Sequence, residues 1–438
     1  MDRLINGINI PPTWTIASAL VLLILIWTTA WGKKRTNPQQ PTHSPKESNI
    51  SAYYTITPFQ NFTLSTQQPL KLRPFKPKYH MTMALQSLPF SALLPFDNTY
   101  TERLRQRRSL LRDHRYEILA CNPCAAPAVL ELYAYLTRCW LPGRYPDIFR
   151  LECDGGSSNG GGGGDEQDAR AGYLQNEVTG ARMVLDLGFD GHGDEDANTH
   201  DPNKTTEKAK RALESLNANI DSDFFFLLPS DAVSASPQSK LKSKLQSPQS
   251  QYTLQSHLCA FPSHFSPRSK LGLSLSAIHA PVPHYADKLE RSMERFFAGL
   301  EVGRCVGRVN WSVGLEGMAG LFRTGREGGI KEKEAKQKDE DEDEVEDEKQ
   351  KDTVKINPTQ TVLRCERQTL HRLPKTKAIV FAFKTYMYPL SELRDEGNGE
   401  ILAEAIDGLA TGSAPGIAAY KNKNVWGTEV KAYLRGEI

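Results

Sequence analysis

Residues 377–390, "KAIVFAFKTYMYPL", carry the pattern that decides the fold. Aromatic and β-branched side chains fill this run and a proline ends it, which is typical of a β-strand. Residues 222–230, "SDFFFLLPS", repeat the pattern and predict a second strand. Between the two strands, residues 284–300, "HYADKLERSMERFFAGL", place apolar side chains three and four positions apart and predict an amphipathic helix.

Helices are predicted on both sides of these strands. Residues 99–114 and 126–141 have apolar side chains at helical spacing, and residues 399–410 predict a final helix. A mainly helical first half followed by strands and a few helices is typical of the α+β class. The sequence therefore predicts an antiparallel sheet packed against helices.

The bulk composition excludes some classes of function. The 438 residues are enough for one large domain or two ordinary ones, and a net charge of +2 gives no basic excess of the kind that nucleic-acid binding requires. Seven cysteines, an odd number scattered along the chain, do not form a disulfide framework. We therefore expect reduced thiols and no nucleic-acid partner.

A membrane-spanning helix is predicted near the N-terminus, after a short tail at residues 1–13. Residues 14–31, "WTIASALVLLILIWTTAW", carry no charge and have tryptophans at both ends. At about 1.5 Å per residue the segment reaches roughly 27 Å, enough for a thin bilayer. A cleaved signal peptide is the weaker interpretation, because the preceding residues carry little positive charge and no small-residue cleavage site follows.

The flanking charges orient this anchor. Residues 32–35, "GKKR", favour a cytosolic position for the rest of the chain, and lipid is then the first partner. Four Asn-X-Ser/Thr tripeptides begin at Asn49, Asn61, Asn203 and Asn310, and they matter only if the chain is lumenal. We expect a single-pass protein of the endoplasmic reticulum with a cytosolic C-terminal domain.

Polar tracts divide the remainder. Residues 32–70 are rich in Pro, Gln, Ser and Thr and predict a disordered linker, followed by one domain over residues 71–438. Within that domain four polar tracts predict disordered surface insertions. They occupy residues 154–168, 190–208, 234–250 and 325–352. The glycine run in the first has no apolar strand before it and no helix after it, so it is not a nucleotide-binding fingerprint.

The cysteine pair in "CNPC", Cys121 and Cys124, is a weak candidate site. A short strand-like stretch precedes the pair and a helix follows, which is the context of a thiol redox motif, but no βαβ repeat surrounds it. Zinc would need two more soft ligands at compact spacing. No nucleophile elbow, HExxH or Walker motif occurs in the sequence, so hydrolase and phosphotransferase interpretations have no anchor.

His279 lies in "IHAPVP", where Pro281 and Pro283 restrict the backbone. Residues before prolines favour extended geometry, so a stiff extended segment is expected to lead into the 284–300 helix. Such a mount suits a metal ligand, and it equally suits a histidine bonded to backbone beside a helix. His257 and His264 lie upstream in apolar surroundings that suit either a haem pocket or an ordinary core edge.

A basic stretch, "LRCERQTLHRLPKTKAIVFAFKTY", precedes and includes the last predicted strand. Guanidinium groups bind carboxylates through two parallel hydrogen bonds, so Arg364, Arg367 and Arg372 are candidates for haem propionates. An internal salt-bridge network around Glu366 is the alternative.

Several motifs together resemble the haem-dependent oxidative N-demethylase alpha-subunit family, which includes membrane-anchored fungal members. The resemblance runs from about Arg73 to Leu434. It is carried, in order, by "RPFKPKYHMTMAL", "CNPCAAPAVLELYAYL", "LPGRYPDIF", "FPSHFSPRSKLGLSLSAIHAPVPHY", "VNWSV" and the basic stretch above.

The resemblance implies a PAS-like fold that holds haem b and uses O2 to remove a methyl group from a small secondary amine. It implies that a separate reductase with flavin and iron–sulfur centres supplies the electrons. It makes His279 the axial metal ligand and Arg364 and Arg367 the propionate contacts. Two other functions stay open: a non-catalytic membrane-tethered PAS-like sensor or scaffold, and a lumenal glycan-modifying enzyme.

Overall fold

A computed structural model describes five ranges of the protein. They are residues 45–153, 172–185, 201–230, 252–315 and 356–438, the last without residue 359. The chain divides into two compact units, residues 1–47 and 48–438, and the second contains nearly all of the described residues. The predicted tail and membrane helix, residues 1–31, lie outside these ranges, as do most of the four predicted insertions. Among the described helices none is long and apolar enough to cross a bilayer.

The described residues form twelve α-helices, numbered in chain order. They are α1 Pro45–Tyr54, α2 Tyr100–Ile118, α3 Ala126–Tyr135, α4 Leu141–Arg144, α5 Pro202–Asn219, α6 Leu275–His279, α7 Tyr285–Lys288, α8 Glu290–Gly299, α9 Leu390–Asp395, α10 Gly399–Thr411, α11 Ile417–Tyr420 and α12 Lys423–Arg435.

Ten strands accompany them. They are β1 Gln86–Leu88, β2 Leu119–Cys121, β3 Phe149–Cys153, β4 Gly172–Asn176, β5 Arg182–Val184, β6 Asp223–Pro229, β7 Tyr252–Leu258, β8 Cys305–Gly314, β9 Val362–Arg372 and β10 Ile379–Pro389.

Seven strands form one antiparallel sheet in the order β1-β8-β9-β10-β6-β7-β2, and β3-β4-β5 form a second, smaller sheet. The two strands predicted from sequence, β6 and β10, are neighbours at the centre of the large sheet, where Phe225 pairs with Phe381. Helices and antiparallel strands together confirm the α+β class. The predicted helix over residues 284–300 is present as α7 and α8, which meet at Leu289.

The two faces of the large sheet are covered differently. One face packs against α2, α3 and α5 at one end, through residues such as Leu132, Leu216 and Phe226, and against α9 to α12 at the other end. The opposite face packs against the short helices α6, α7 and α8, through Leu275 and Phe297 among others. We call this second face the open face, because short helices cover it less completely.

The predicted disordered linker over residues 32–70 is wrong in its described part. Helix α1 lies within it, Tyr53 is fully buried, and Phe62 is 7 % exposed. The ring of Tyr53 contacts that of Tyr135 at a centroid distance of 4.3 Å, so the folded domain begins before residue 71. Isolated aromatic residues supply buried apolar surface that the polar composition of the stretch conceals.

The second predicted insertion, residues 190–208, is helical at its C-terminal end. Residues 190–208 were expected to be disordered, but α5 begins at Pro202, and the Asp201 carboxylate accepts a hydrogen bond from the Asn203 backbone N–H at 2.9 Å. This is an N-cap, which satisfies a donor that a helix start otherwise leaves free. Charged residues on the solvent side of α5 concealed the buried stripe that includes Leu213 and Leu216.

An extended segment before β1 crosses α10 at very short range. A Cβ atom on Gly412 would lie 1.8 Å from the Tyr79 carbonyl oxygen, and one on Gly408 would lie 2.4 Å from that of Pro77. The Ser413 N–H donates to the Tyr79 carbonyl at 2.8 Å. Only glycine permits this crossing, which fixes Tyr79 beside the open face.

Candidate functional site

The open face presents rows of side chains that follow from the strand register. Arg308, Gln368 and Phe383 occupy paired positions on β8, β9 and β10. In the next row, Leu370, Phe381 and Phe225 are paired across β9, β10 and β6. Side chains on a strand alternate between faces, so both rows lie on one side of the sheet. Arg308, Gln368, Phe381 and Phe225 are only half-buried, so part of this sheet face is exposed.

Four phenylalanines, with their rings edge-to-face or tilted to one another, form an apolar wall on this face. The Phe225 ring contacts those of Phe383 at 5.5 Å, Phe381 at 6.1 Å and Phe265 at 6.2 Å between centroids. Phe265 comes from the loop after β7, whereas the others belong to β6 and β10. Apolar walls of this kind suit a planar aromatic or porphyrin ligand.

His279 ends α6, which packs on the same face. Its Nδ1 lies 2.8 Å from the Leu275 carbonyl oxygen, and a carbonyl can only accept, so Nδ1 carries the proton. The ring stacks on that of Tyr285, with centroids 4.8 Å apart and 14° between the planes. The Nε2 atom therefore holds the free lone pair, the arrangement found in metal-binding histidines.

The electrostatics keep this imidazole neutral. Burial lowers the pKa of His279, and the cations Lys270 and Arg308 lower it further, while the Leu275 hydrogen bond opposes them. Within the described ranges no group of three or more His, Cys, Asp or Glu side chains could hold a metal ion. A single neutral imidazole matches the axial ligand of a haem, whose other iron ligands come from the macrocycle, better than a zinc site.

The predicted extended geometry after His279 is wrong. Ala280 is helical, with φ −50° and ψ −37°, and the Val282 N–H donates to the His279 carbonyl at 2.8 Å. His284 adopts a left-handed φ of 61° before α7. The Ser274 hydroxyl caps the N-terminus of α6. At the other end of α6 the chain turns, so Pro281 and Pro283 lie in turns and not in an extended segment.

Arg364 and Arg367 lie three positions apart on β9 and therefore on opposite faces of the sheet. Arg364 is 2 % exposed and donates to the Phe261 carbonyl at 2.6 Å. Its Nε lies 3.8 Å from a Glu366 carboxylate oxygen, as the salt-bridge alternative expected. Arg367 donates to the Ala92 and Leu93 carbonyls on the far face, so the two arginines cannot contact one bound molecule.

Arg308 is the basic residue that the sequence analysis missed. It shares the open face with Gln368 and is close enough to His279 to lower its pKa. Its Nε is buried and has no hydrogen-bond acceptor among the described residues. Strand alternation through "VGRVNWSV" was the only signal, since a lone arginine in a strand looks like an ordinary surface residue. A buried guanidinium donor without an acceptor fits an anionic ligand.

A polar edge adjoins Arg308. Glu366 accepts from the Gln368 amide at 3.1 Å. Lys421 donates to Asn310 Oδ1 at 3.3 Å and to the Trp311 carbonyl. Burial lowers the pKa of Lys421 to about 8, although the Glu366 charge opposes that shift. This edge can therefore exchange a proton near neutral pH.

The other candidates are placed elsewhere. Burial raises the pKa of Cys121 to about 11 and also raises that of Cys124, the reverse of what a redox thiolate needs. His257 is buried with Nε2 3.1 Å from the Glu117 carbonyl, and His371 lies fully buried on the far face. His264 adopts a left-handed φ of 59° in the loop before Phe265.

Most of the chain is similar to one family of known proteins. A family model described as "Haem-dependent oxidative N-demethylase, alpha subunit-like" matches residues 84–431. This range includes His279, the phenylalanine wall, Arg308, and the candidate arginines Arg364, Arg367 and Arg372. No curated protein matches the chain.

Proposed function

Because the chain belongs to the haem-dependent oxidative N-demethylase alpha subunit-like family, we propose that it is a haem b enzyme that removes a methyl group from a small N-methylated amine. O2 is the oxidant, and a separate flavin and iron–sulfur reductase supplies the electrons. The observation that carries this proposal is the unprotonated Nε2 of His279, at the end of the helix α6 that packs on the same sheet face as the phenylalanine wall.

The residues of the open face fit haem in three respects. His279 would hold the iron through Nε2, which carries no proton because Nδ1–H donates to the Leu275 carbonyl. The phenylalanine wall supplies an apolar surface for the macrocycle. Arg308 supplies a buried donor for a propionate carboxylate, a role for which we favour it over Arg364 and Arg367.

When bound, haem supplies the activation of O2, so that the N-methyl amine, O2, two electrons and two protons become the demethylated amine, formaldehyde and water. His279 would hold the iron, and the phenylalanine wall would keep water from the site. Lys421, with its pKa of about 8, can release and regain a proton at the polar edge. Glu366 lies close enough to stabilise the protonated form of Lys421.

We propose further that residues 14–31 anchor the protein in the endoplasmic reticulum membrane and that the domain is cytosolic, on the same surface as its reductase. The composition of this segment supports the anchor. The six described cysteines are all free, which suits a reducing compartment. A PAS-like arrangement, with the ligand between sheet and short helices, is part of the same proposal.

An absorption spectrum of protein produced with ample haem tests the proposal. We expect a Soret band with the wild-type chain and with His284→Ala, because His284 is 44 % exposed and bonds only to Asp287 among described partners. We expect the band to be lost or strongly shifted in His279→Ala. Equal spectra for the two variants would exclude His279 as the ligand.

Turnover separates the proposed enzyme from the two alternatives. Formaldehyde release that depends on a methylamine substrate and on an artificial electron donor supports the enzyme. Haem binding without turnover on any methylamine supports a sensor. Sensitivity to endoglycosidase would support the lumenal alternative. Asn310 is a poor site for glycosylation, because its half-buried side chain accepts a hydrogen bond from Lys421.

A further inference from the structure

A second ligand site lies on the far face of the large sheet. There a cavity of about 180 Å³ is bounded by Arg367 on β9, by Arg144 at the end of α4, and by the rings of Phe59, Phe96 and Tyr145. We call it the Arg144–Arg367 cavity. Its volume is below the roughly 300 Å³ at which pockets for drug-sized ligands begin. It admits a small molecule with one ring, and it is too small for haem.

The two arginines are held differently. Arg367 donates hydrogen bonds from its two terminal nitrogens to the Ala92 and Leu93 carbonyls, which fixes its guanidinium in the wall of the cavity. Arg144 donates through Nη1 to the Thr57 carbonyl at 2.8 Å. Its Nε is buried and has no acceptor in the part of the chain that the structure describes. A buried donor without an acceptor destabilises the protein unless a ligand or water accepts from it.

The charges around the cavity do not balance. Lys384 lies 2.7 Å from carboxylate oxygens of both Asp97 and Asp221, and Asp97 also lines the cavity. The charged side chains that line the cavity are Asp97, Arg144 and Arg367, and buried Arg103 adds a further positive charge near Asp97 and Asp221. The second Asp97 oxygen already accepts from the Thr99 hydroxyl and N–H. The four cations Lys384, Arg103, Arg144 and Arg367 therefore outnumber the two carboxylates, an excess of positive charge that a monoanion reduces and an organic cation would increase.

The walls define the rest of the ligand. The Arg144 guanidinium lies over the Phe59 ring at 4.7 Å and over the Tyr145 ring at 5.7 Å. Phe96 and Tyr145 are stacked at 4.7 Å with 15° between their planes. Aromatic walls of this kind accept a flat apolar group beside the charge. Gln68 and Leu70, which is 38 % exposed, line the cavity where it reaches the surface.

We propose that the Arg144–Arg367 cavity binds a small aromatic monocarboxylate, with the carboxylate accepting from Arg144 Nε and the ring against Phe96 and Tyr145. The site is separate from the haem site, because Arg367 points to the face opposite Arg308. Arg367, for which the sequence predicted a propionate contact, lines this cavity instead.

Calorimetric titration of the full chain tests this with benzoate as the probe, neutral benzamide as the isosteric control and benzylamine as the cation. We expect saturable binding of benzoate at least about tenfold tighter than that of benzamide, and no binding of benzylamine. Arg144→Gln should reduce the affinity for benzoate to that for benzamide. Equal affinities of benzoate and benzamide for the wild-type chain would overturn the proposal.

A second variant keeps the test decisive if Arg144→Gln fails to fold. Leu70→Trp narrows the entrance without changing a charge, and it should weaken benzoate at least about tenfold. Unchanged benzoate binding in this variant would also overturn the proposal. Benzoate should leave the Soret band of the wild-type chain unchanged. The benzoate titration therefore tests this site independently of the haem site.

Discussion

Replacing Asp223 with alanine should destabilise the domain by about 5 kcal/mol. Asp223 and Arg107 form a 2.6 Å ion pair in which the two side chains are 2 % and 0 % exposed. The same carboxylate accepts from the Ala260 N–H at 2.8 Å and the Phe261 N–H at 3.0 Å. It therefore joins α2 and β6 to the loop that carries Phe265 into the aromatic wall.

The magnitude follows from these three partners. Removing one member of a buried ion pair typically costs about 3–5 kcal/mol, because a charge is left buried without its partner. The two backbone donors add about 1–3 kcal/mol each where water cannot reach them. Local relaxation returns part of the sum, which leaves a net loss of about 5 kcal/mol, and at about 2–4 °C per kcal/mol the melting temperature should fall by about 10–20 °C.

Thermal unfolding followed by circular dichroism measures this loss. Glu214→Ala is the matched control, because it breaks the 2.6 Å pair with Arg115, whose side chain is 51 % exposed. Exposed pairs contribute about 0–1 kcal/mol, so the control should unfold nearly as the wild type does. A loss below about 1 kcal/mol for Asp223→Ala would show that water reaches Arg107 and that this network does not fix the loop.

Three further perturbations have defined outcomes. Gly412→Ala should destabilise the domain by at least about 3 kcal/mol in denaturant unfolding, because its Cβ would meet the Tyr79 carbonyl at 1.8 Å, whereas Gly299→Ala meets nothing within 4 Å and should be near neutral. Haem affinity, followed by the Soret band, should be constant from pH 8 down to the ordinary histidine pKa of about 6.5 and fall only at lower pH, since burial lowers the pKa of His279 and iron needs the neutral ring; loss already above pH 6.5 would contradict the assigned tautomer and burial. The stability of the wild type relative to Lys421→Met should rise between about pH 8 and pH 10.5, because a folded pKa of about 8 means that the unfolded chain binds the additional proton in that window; a pH-independent difference would show that Lys421 is not desolvated.

Local periodicity predicted the strands β6 and β10 and several helices, but not the strands β7, β8 and β9 of the same sheet. The aromatic run of β10 and the amphipathic stripe of α8 were recognisable because each lies in one continuous segment with one spacing. The start of α5 and the whole of α1 were missed, since charged or polar neighbours outnumber the few buried residues, such as Tyr53, that hold these helices in place.

The site was harder to predict than the fold. His279 was identified from the prolines that follow it, but it lies at the end of a capped helix and turns follow it. Backbone hydrogen bonds there outweigh the preference of residues before proline for extended geometry. The opposite directions of Arg364 and Arg367 follow from the strand period and were predictable in principle. The role of Arg308 was not predictable, because it depends on a buried Nε that has no acceptor among the described residues after folding. No local sequence pattern encodes that property.

Resonance Raman spectroscopy of the haem-loaded wild type and of His279→Ala with added imidazole tests the central claim most directly. The account predicts an iron–imidazole stretching band in the reduced wild type, its loss in the variant, and its return when free imidazole fills the space left by the side chain. An unchanged band in His279→Ala, or wild-type protein that takes up no haem at all, would contradict the assignment of the open face as the haem site.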